Sequence, residues 1–423
     1  MIDIKQIREN PELFKTACKA KNFYVDIDNL LELDSKLRQA KTRLQEITTE
    51  KNSLGKTIAK LSGDEKQKMI NRLGEFKNEE SSINEQIKKL QPQLDELMLA
   101  VPQPADEDVP FGKDDTENVE IARWGEIPKF DFEPKDHVQL GLALDIIDIE
   151  RAVRLAGTRN YFLKGAGALL HWAVLRFAMD FMIKKGYVPF SVPMLMKNEA
   201  MSGTGYYPGS EEQTYRMERD ELNLAGTAEV PLTAYFSGEI LLQEILPQKF
   251  IGLSTCYRRE AGAAGKDTYG LYRIHQFDKV EQVIICENDA EQSAKFHEEI
   301  RANSEGVMQA FGIPYRVVKV CTGDLGRGQA KKYDIEAWMP SRNGFGETHS
   351  ASKFYDFQAR RLNLRYKDSK TKKNLFCHTL NNTVIASPRI LIPILELNQN
   401  KDGSINIPKV LQPYMNGMER ITK

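Results

Sequence analysis

Apolar residues recur through the first hundred positions at alternating steps of four and three. One run passes through Leu33, Leu37, Ala40, Leu44, Ile47, Lys51, Leu54, Ile58 and Leu61, and a second through Met69, Leu73, Phe76, Glu80, Ile83, Ile87, Leu90, Leu94 and Leu97. An apolar stripe held for roughly four heptads is the seam of a coiled coil. Between the runs lies Leu-Ser-Gly-Asp-Glu (61–65), with Gly63 placed to end the first helix. So short a connection predicts antiparallel neighbours, hence one helical hairpin over about 30–100, roughly 45 Å long at ~1.5 Å per residue. Each seam has one charged break, Lys51 and Glu80. Folding about Gly63 sets these two opposite each other, Leu54 opposite Phe76 and Leu61 opposite Met69. Because desolvation offsets most of the attraction in a part-buried ion pair, the pair is expected to set register more than to add stability.

After Leu97 the pattern stops. Prolines and acids in VPQPADEDVPFGKDD (101–115) break the helix and mark a linker, with a boundary near 103 and domains of 1–103 and 104–423. From about 137 onward helical and strand-like stretches alternate irregularly. Gly165–Lys185 reads as a largely buried helix, and 186–193 as extended, because Pro189 and Pro193 forbid helix. Strands are predicted near 249–259, 271–286, 315–321 and 346–356. The fold class is therefore α+β, with a mainly antiparallel sheet following the helical arm.

Composition narrows the function. With 59 Lys+Arg against 60 Asp+Glu there is no global field to attract nucleic acid, so any such contact needs a local patch. One exists: Lys51, Lys56, Lys60, Lys66, Lys68 and Arg72 gather towards the tip of the predicted arm, as contact with a polyanion would require. Gly55-Lys56-Thr57 is not a phosphate loop, since the glycine required five residues earlier is Glu50. The polar start and the lack of a run of about eighteen apolar residues point away from a leader or a membrane span. Five scattered cysteines suggest neither a disulfide framework nor a zinc site, and fit a reducing cytoplasmic setting.

The densest chemistry is CYRREAGAAGKDTYGLYRIHQFDKVE (256–281). Two strand-like ends flank a loop carrying Gly262, Gly265, Gly270, Arg259 and Lys266, which reads as a β-hairpin with a long basic loop. Arg258 at its mouth can grip a phosphate by paired hydrogen bonds, Phe277 offers a stacking face and Glu281 a carboxylate. The segment is expected to handle a nucleotide.

These residues resemble motif 2 of the class II aminoacyl-tRNA synthetases, and specifically the bacterial-type seryl-tRNA synthetases. The resemblance extends to the helical hairpin, Thr227-Ala228-Glu229, DFQARR (356–361), HTLN (378–381), Arg389 in the motif 3 position and LQPYMNG (411–417). It implies ATP-dependent charging of tRNA(Ser) with L-serine through a seryl-adenylate, with tRNA(Sec) as an open second acceptor, in a cytoplasmic homodimer with Pro193 at the interface. Arg258 would hold the α-phosphate, Glu260 the adenine amino group and Arg389 the γ-phosphate end. Phe277 would stack on the base, and Arg259, Ile274, Thr348 and His349 would complete the ATP site. Glu347 and Ser350 would hold Mg²⁺, and no zinc is expected. Thr227, Ala228, Glu229, Glu281, Asn381 and Thr383 would form the serine pocket. His275 and His378 would be structural. The basic tip of the arm, Lys51, Lys56, Lys60, Lys66 and Lys68, would meet tRNA.

The chain departs from the family pattern in three places. Asn381-Asn382-Thr383 stands where Asn-Gly-Ser is usual, and Asn382 is expected to occupy a position of positive φ, which Asn tolerates. His349 and Lys353 are new within 347–353. Ala225-Gly226 precedes Thr227 where bulkier residues are common. An alternative is a paralogue that activates another small amino acid or charges an acceptor other than tRNA.

Overall fold

The computed structural model describes residues 1–58, 62–262 and 268–423, which fall into two compact units, Met1–Pro102 and Gln103–Lys423. Leu61, Lys60, Gly265 and Lys266 lie outside the described residues.

The first unit is dominated by α1 (Ile27–Ile58) and α2 (Gly63–Ala100). The heptad positions pack as expected: Ala40, Ile47, Phe76 and Ile83 form a buried cluster, with Leu44, Leu54 and Ile87 against it. Register follows the charged breaks, since Lys51 Nζ meets Glu80 Oε2 at 2.5 Å. Arg43 adds a forked pair with Glu79, and Lys41 donates to Gln91 at 2.8 Å. One detail differs. Gly63 has φ +64° and opens the second helix behind Ser62 rather than closing the first. Positive φ at the turn is still what calls for glycine there. Gly55-Lys56-Thr57 is helical, so no phosphate loop forms. Both partners of the Lys51–Glu80 pair are about one-third exposed (33% and 31%), so solvent screens much of their attraction. Lys51→Leu alone should cost on the order of 1 kcal/mol by stranding Glu80, while Lys51→Leu with Glu80→Leu should restore or exceed the parent stability. Urea unfolding of the full chain followed by helical circular dichroism tests this; equal losses in the two variants would defeat it.

The second unit is built on an eight-stranded sheet: β1 (Val119–Trp124), β2 (Val188–Ser191), β3 (Gln248–Tyr257), β4 (Gln276–Cys286), β5 (Tyr315–Lys319), β6 (Lys331–Met339), β7 (Gly344–Tyr355) and β8 (His378–Ser387). Their order across the sheet is β1-β5-β6-β7-β8-β4-β3-β2, antiparallel throughout except for β2 beside β3. The sequence reading located β2 to β5 and β7 and passed over β1, β6 and β8. Strand β8 is buried along nearly its whole length and so lacks the polar alternation that marks a half-exposed strand. Helices α3 (Ala166–Lys184) and α4 (Ala290–Phe311) supply Leu170, Val174, Met182, Ile300, Val307 and Met308 to the main core. Among the described residues α3 is the one helix long and apolar enough to cross a membrane, which the sequence reading did not register; here its inner face is core.

The acids read as linker are not free of the fold. From Gln103, whose N–H donates to Arg327 O, the chain lies along β5, β6 and β7. Asp106 pairs with Lys353 and accepts from Tyr355, and Asp108 pairs with Lys319 and Lys331. Burial pushes Asp108 up, but its two lysines outweigh that and hold its carboxyl down to about 2. Lys353, one of the departures from the family pattern, is thus the lysine that anchors Asp106.

Candidate active site

Strand alternation builds the floor of the site. Side chains two apart share a face, so Phe277, Lys279 and Glu281 of β4 point one way while Asp278, Val280 and Gln282 point the other. On β8 the same rule presents Asn381 and Thr383 to a cavity of ≈ 210 Å³ and sends Asn382 to the opposite side. There Asn382 Nδ2 donates to Ile300 O at 2.6 Å and Ser304 Oγ at 2.9 Å on α4. Asn382 is an ordinary strand residue and does not have positive φ. The expectation of a left-handed conformation was wrong because the position faces away from the cavity, where an amide suits the helix behind the sheet.

Most of the candidate residues line this one cavity: Arg258, Glu260, Ile274 and Phe277 from the hairpin, Glu229, Glu281, Asn381 and Thr383 at one side, and Glu347, Thr348, His349, Ser350 and Arg389 at another. The hairpin itself forms as expected, with Tyr257 paired to Gln276 at its mouth. Arg258 Nε donates to Gly226 O at 3.3 Å, and its guanidinium lies 5.2 Å from the centre of the Phe277 ring. Gly226, another departure, leaves room beside Arg258: a Cβ there would sit 3.3 Å from the Arg258 side chain, a tight contact. Glu260 has φ +50° and turns its carboxylate onto Arg273 at 2.8 Å, while Arg159 holds its carbonyl. Arg389 donates to Tyr272 O and Glu347 O, lies over the Tyr272 ring at 4.4 Å, and stands 3.8 Å from the Glu347 carboxylate.

Three of the candidates for the amino-acid and ATP sites, Arg259, Ala228 and Thr227, stand outside the lining. Arg259 is exposed and pairs weakly with Glu212 at 3.4 Å. Ala228 packs in an apolar cluster with Leu232 and Phe250. Thr227 is buried and accepts from the Glu229 N–H, bracing the carboxylate that follows. Thr348 and His349 reach the cavity with their polar groups committed to the sheet: Thr348 donates to Ile335 O, and His349 Nε2 lies 3.0 Å from Val384 O. Burial pushes His349 and His378 down to about 4, so both are neutral at physiological pH, and His378 is tied to Ser293. His275 bonds the Arg258 carbonyl. These are structural roles. On the arm, Lys56, Lys66 and Lys68 are exposed, whereas Lys51 is engaged by Glu80.

The cavity has two electrostatic ends. Glu229 and Glu281 are buried together at one, and the only cation in direct contact among the described residues is Lys279, 2.5 Å from Glu281. Burial, and then repulsion from Glu281, push Glu229 up to about 7 against the opposing pull of Gln358, Lys279 and Tyr206. Thr383 Oγ1 reaches Glu281 at 3.4 Å. Arg258 and Arg389 make the other end cationic. Carboxylates fit an ammonium and a hydroxyl; guanidinium groups fit phosphate.

Lys279, Tyr206, Tyr272, Gln329 and Ser352 also line the cavity and were missed. Lys279 was within reach of the alternation rule, lying between Phe277 and Glu281 on the same face. Tyr206 carries no local signal; its hydroxyl reaches Glu229 at 3.3 Å only in the folded chain.

Residues 1–104 match the seryl-tRNA synthetase N-terminal domain, and residues 213–398 the class II tRNA synthetase core domain shared by enzymes for Gly, His, Pro, Ser and Thr. The chain is 44% identical to a serine–tRNA ligase of Deinococcus radiodurans, covering 99% of this chain and 98% of the relative. It belongs to the seryl-tRNA synthetases. A second family member, the serine–tRNA ligase of Treponema denticola, is 43% identical with full coverage of both chains. Among solved structures, seryl-tRNA synthetase of Pyrococcus horikoshii complexed with ATP superposes with a TM-score of 0.94 at 37% identity, covering 100% and 99% of the two chains. The cytoplasmic enzyme of Naegleria fowleri in complex with AMP gives 0.89 at 32%, with the same coverage. The match to a seryl-tRNA synthetase fold and family thus covers both the helical arm and the antiparallel-sheet unit.

Proposed function

We propose that this seryl-tRNA synthetase charges tRNA(Ser) with L-serine, and that the cavity between Glu229, Glu281, Arg258 and Arg389 performs the activation step. The observation that carries the reading is the division of this cavity into a buried carboxylate end and a guanidinium end. Glu229 receives the serine ammonium, Glu281 and Thr383 the side-chain hydroxyl, and Arg258 the α-phosphate of ATP. The serine carboxylate oxygen attacks the α-phosphorus, and the bond to the bridging oxygen breaks to release pyrophosphate. A ribose hydroxyl at the tRNA end then attacks the activated carbonyl, giving seryl-tRNA and AMP. No protein nucleophile is required; catalysis rests on positioning and on offsetting phosphate charge. Phe277, with Arg258 on it, provides the platform for adenine, and Glu260 the acceptor for its amino group.

Glu347 and Ser350 fit Mg²⁺. Both are hard oxygen donors on β7 facing the cavity, and the buried Oδ1 of Asp334, opposite Ser350 in the β6–β7 register, has no hydrogen-bond partner. No cluster of three or more His, Cys, Asp or Glu exists among the described residues, as suits an ion held by few protein ligands and by phosphates. When bound, the ion would neutralise triphosphate charge. The cytoplasm suits five buried free cysteines. A homodimer suits the apolar groove around Phe190, Pro193, Leu195 and Tyr235.

The alternative, a paralogue for another small amino acid, is separated by serine-dependent ATP–pyrophosphate exchange. Serine should support exchange at least about a hundredfold better than alanine, because alanine offers no hydroxyl to the hydrogen-bonding groups of Glu281 and Thr383 that face the buried end of the cavity. Threonine and glycine should be poor substrates. Equal exchange with alanine would overturn the assignment of the hydroxyl to Glu281.

A further inference from the structure

The motifs at 227–229, 356–361 and 378–381 lie far apart in sequence, yet one residue of each meets the others in a buried chain of hydrogen bonds. Thr379 Oγ1 donates to Gln358 Oε1 at 2.6 Å. Gln358 Nε2 donates to Glu229 Oε1 at 2.8 Å and to the Thr204 carbonyl at 3.0 Å. Tyr206 donates to the other carboxylate oxygen of Glu229 at 3.3 Å. Gln358 and Thr379 are fully buried and neither lines the cavity. We infer that Gln358, its amide oxygen held by Thr379, is the positioning residue that supports the Glu229 carboxylate and aims it for the amino-acid ammonium. The inference rests on the proposed function of the site and goes on from it.

The direction of the chain is what matters. A primary amide can be turned by half a revolution at almost no intrinsic cost, and in the wrong orientation its oxygen would face Glu229 and repel it. Glu229 Oε1 and the Thr204 carbonyl can only accept, so both amide N–H groups must point to them. The amide oxygen is then left facing Thr379, whose hydroxyl donates to it and holds the side chain in place. A buried carboxylate needs such donors, because leaving one oxygen unpaired costs its full desolvation. The other groups facing Glu229 do not supply this. Glu281 of β4 opposes ionisation, Lys279 is already paired with Glu281, and Arg258 is turned to Gly226 and Phe277. Tyr206 supports the second oxygen alone. The Gln358 hydrogen bond also lowers the pKa of Glu229, in the sense expected of a donor to the charged form.

The test uses the full chain and serine-dependent ATP–pyrophosphate exchange measured against pH. In the parent enzyme kcat/KM for serine should fall as pH drops below about 7, since protonated Glu229 cannot hold an ammonium. Gln358→Met keeps the length of the side chain but has no hydrogen to donate to Glu229. It should raise the serine KM by about tenfold or more, leave the ATP KM within about twofold, and move the acid limb of the profile to higher pH by about one unit. Thr379→Val leaves the buried Gln358 amide oxygen without its donor and loosens the amide, and should shift both serine KM and acid limb in the same direction by a smaller amount; Thr379→Ser, which keeps the hydroxyl, should match the parent. If Gln358→Met does not fold, as judged by loss of ATP binding, the Thr379 pair decides. Serine and ATP KM rising together, or an acid limb that stays put in the folded variants, would overturn the inference. Absence of serine-dependent exchange in the parent enzyme would overturn the functional reading, and this inference with it.

Discussion

Arg258→Ala is expected to lower serine-dependent ATP–pyrophosphate exchange by about a thousandfold, with Arg258→Lys recovering little of it. The guanidinium sits at the mouth of the hairpin, fixed by Nε to Gly226 O and by its plane over Phe277. No carboxylate among the described residues pairs with it, so its charge is available to a phosphate. Removing one donor preorganised for transition-state charge costs ~2.7–4 kcal/mol, a factor of about a hundred to a thousand. Loss of the guanidinium over Phe277, the proposed adenine platform, puts the expectation at the upper end of that range. Lysine cannot make the forked contact or lie flat on a ring. The measurement is exchange at saturating ATP and serine, followed by the ATP dependence. A variant that retained a tenth of parental exchange would remove Arg258 from the reaction.

The second large effect separates activation from transfer. Excising residues 42–90 and joining the ends by a short turn should reduce aminoacylation of tRNA by about a thousandfold or more while exchange changes by less than about threefold, since binding carried by many phosphate contacts is lost together. Lys41 and Gln91 face each other across the hairpin, so the cut leaves paired helix ends. The apolar seam beyond it is contained within the arm, where Ile47, Phe76 and Ile83 pack on one another and on Ala40 at the cut, so little buried surface is exposed elsewhere. The exposed Lys56, Lys66 and Lys68 go with it. Aminoacylation rates and exchange rates measured on one preparation give the answer. If both persist, the arm does not read tRNA; if both vanish, the excision has damaged folding rather than recognition.

Much of this molecule was legible from local patterns. The hairpin could be read because its core is a one-dimensional seam: each layer involves residues three or four apart, and a single ion pair, Lys51 with Glu80, sets the register. The same holds for the 256–281 segment, whose strand ends and intervening glycines are contiguous. Where the reading failed, a position had been interpreted without its face. Asn382 was treated as a backbone problem, when strand alternation makes it a partner of α4. Arg259, Thr227 and Ala228 were carried into the site with their neighbours Arg258 and Glu229, yet proximity in sequence does not give a shared face, and none of the three lines the cavity. The acids at 106 and 108 looked like a solvated linker because their lysines, Lys319, Lys331 and Lys353, are more than two hundred residues away.

By itself, then, the sequence determined the two-part architecture, the arm and its register, and the residues of the activation site that share one motif or one strand face. These are short-range consequences of side-chain period and turn chemistry. Only the tertiary structure decided that Tyr206, Gln358 and Thr379 converge on Glu229, and that Glu229 and Glu281 share one buried end of the cavity. Those relations depend on which strands neighbour one another, and so on the order β7-β8-β4-β3, which no local pattern encodes. Burial then does the rest, since the charge state of Glu229 is set by groups that meet it only after the sheet has formed.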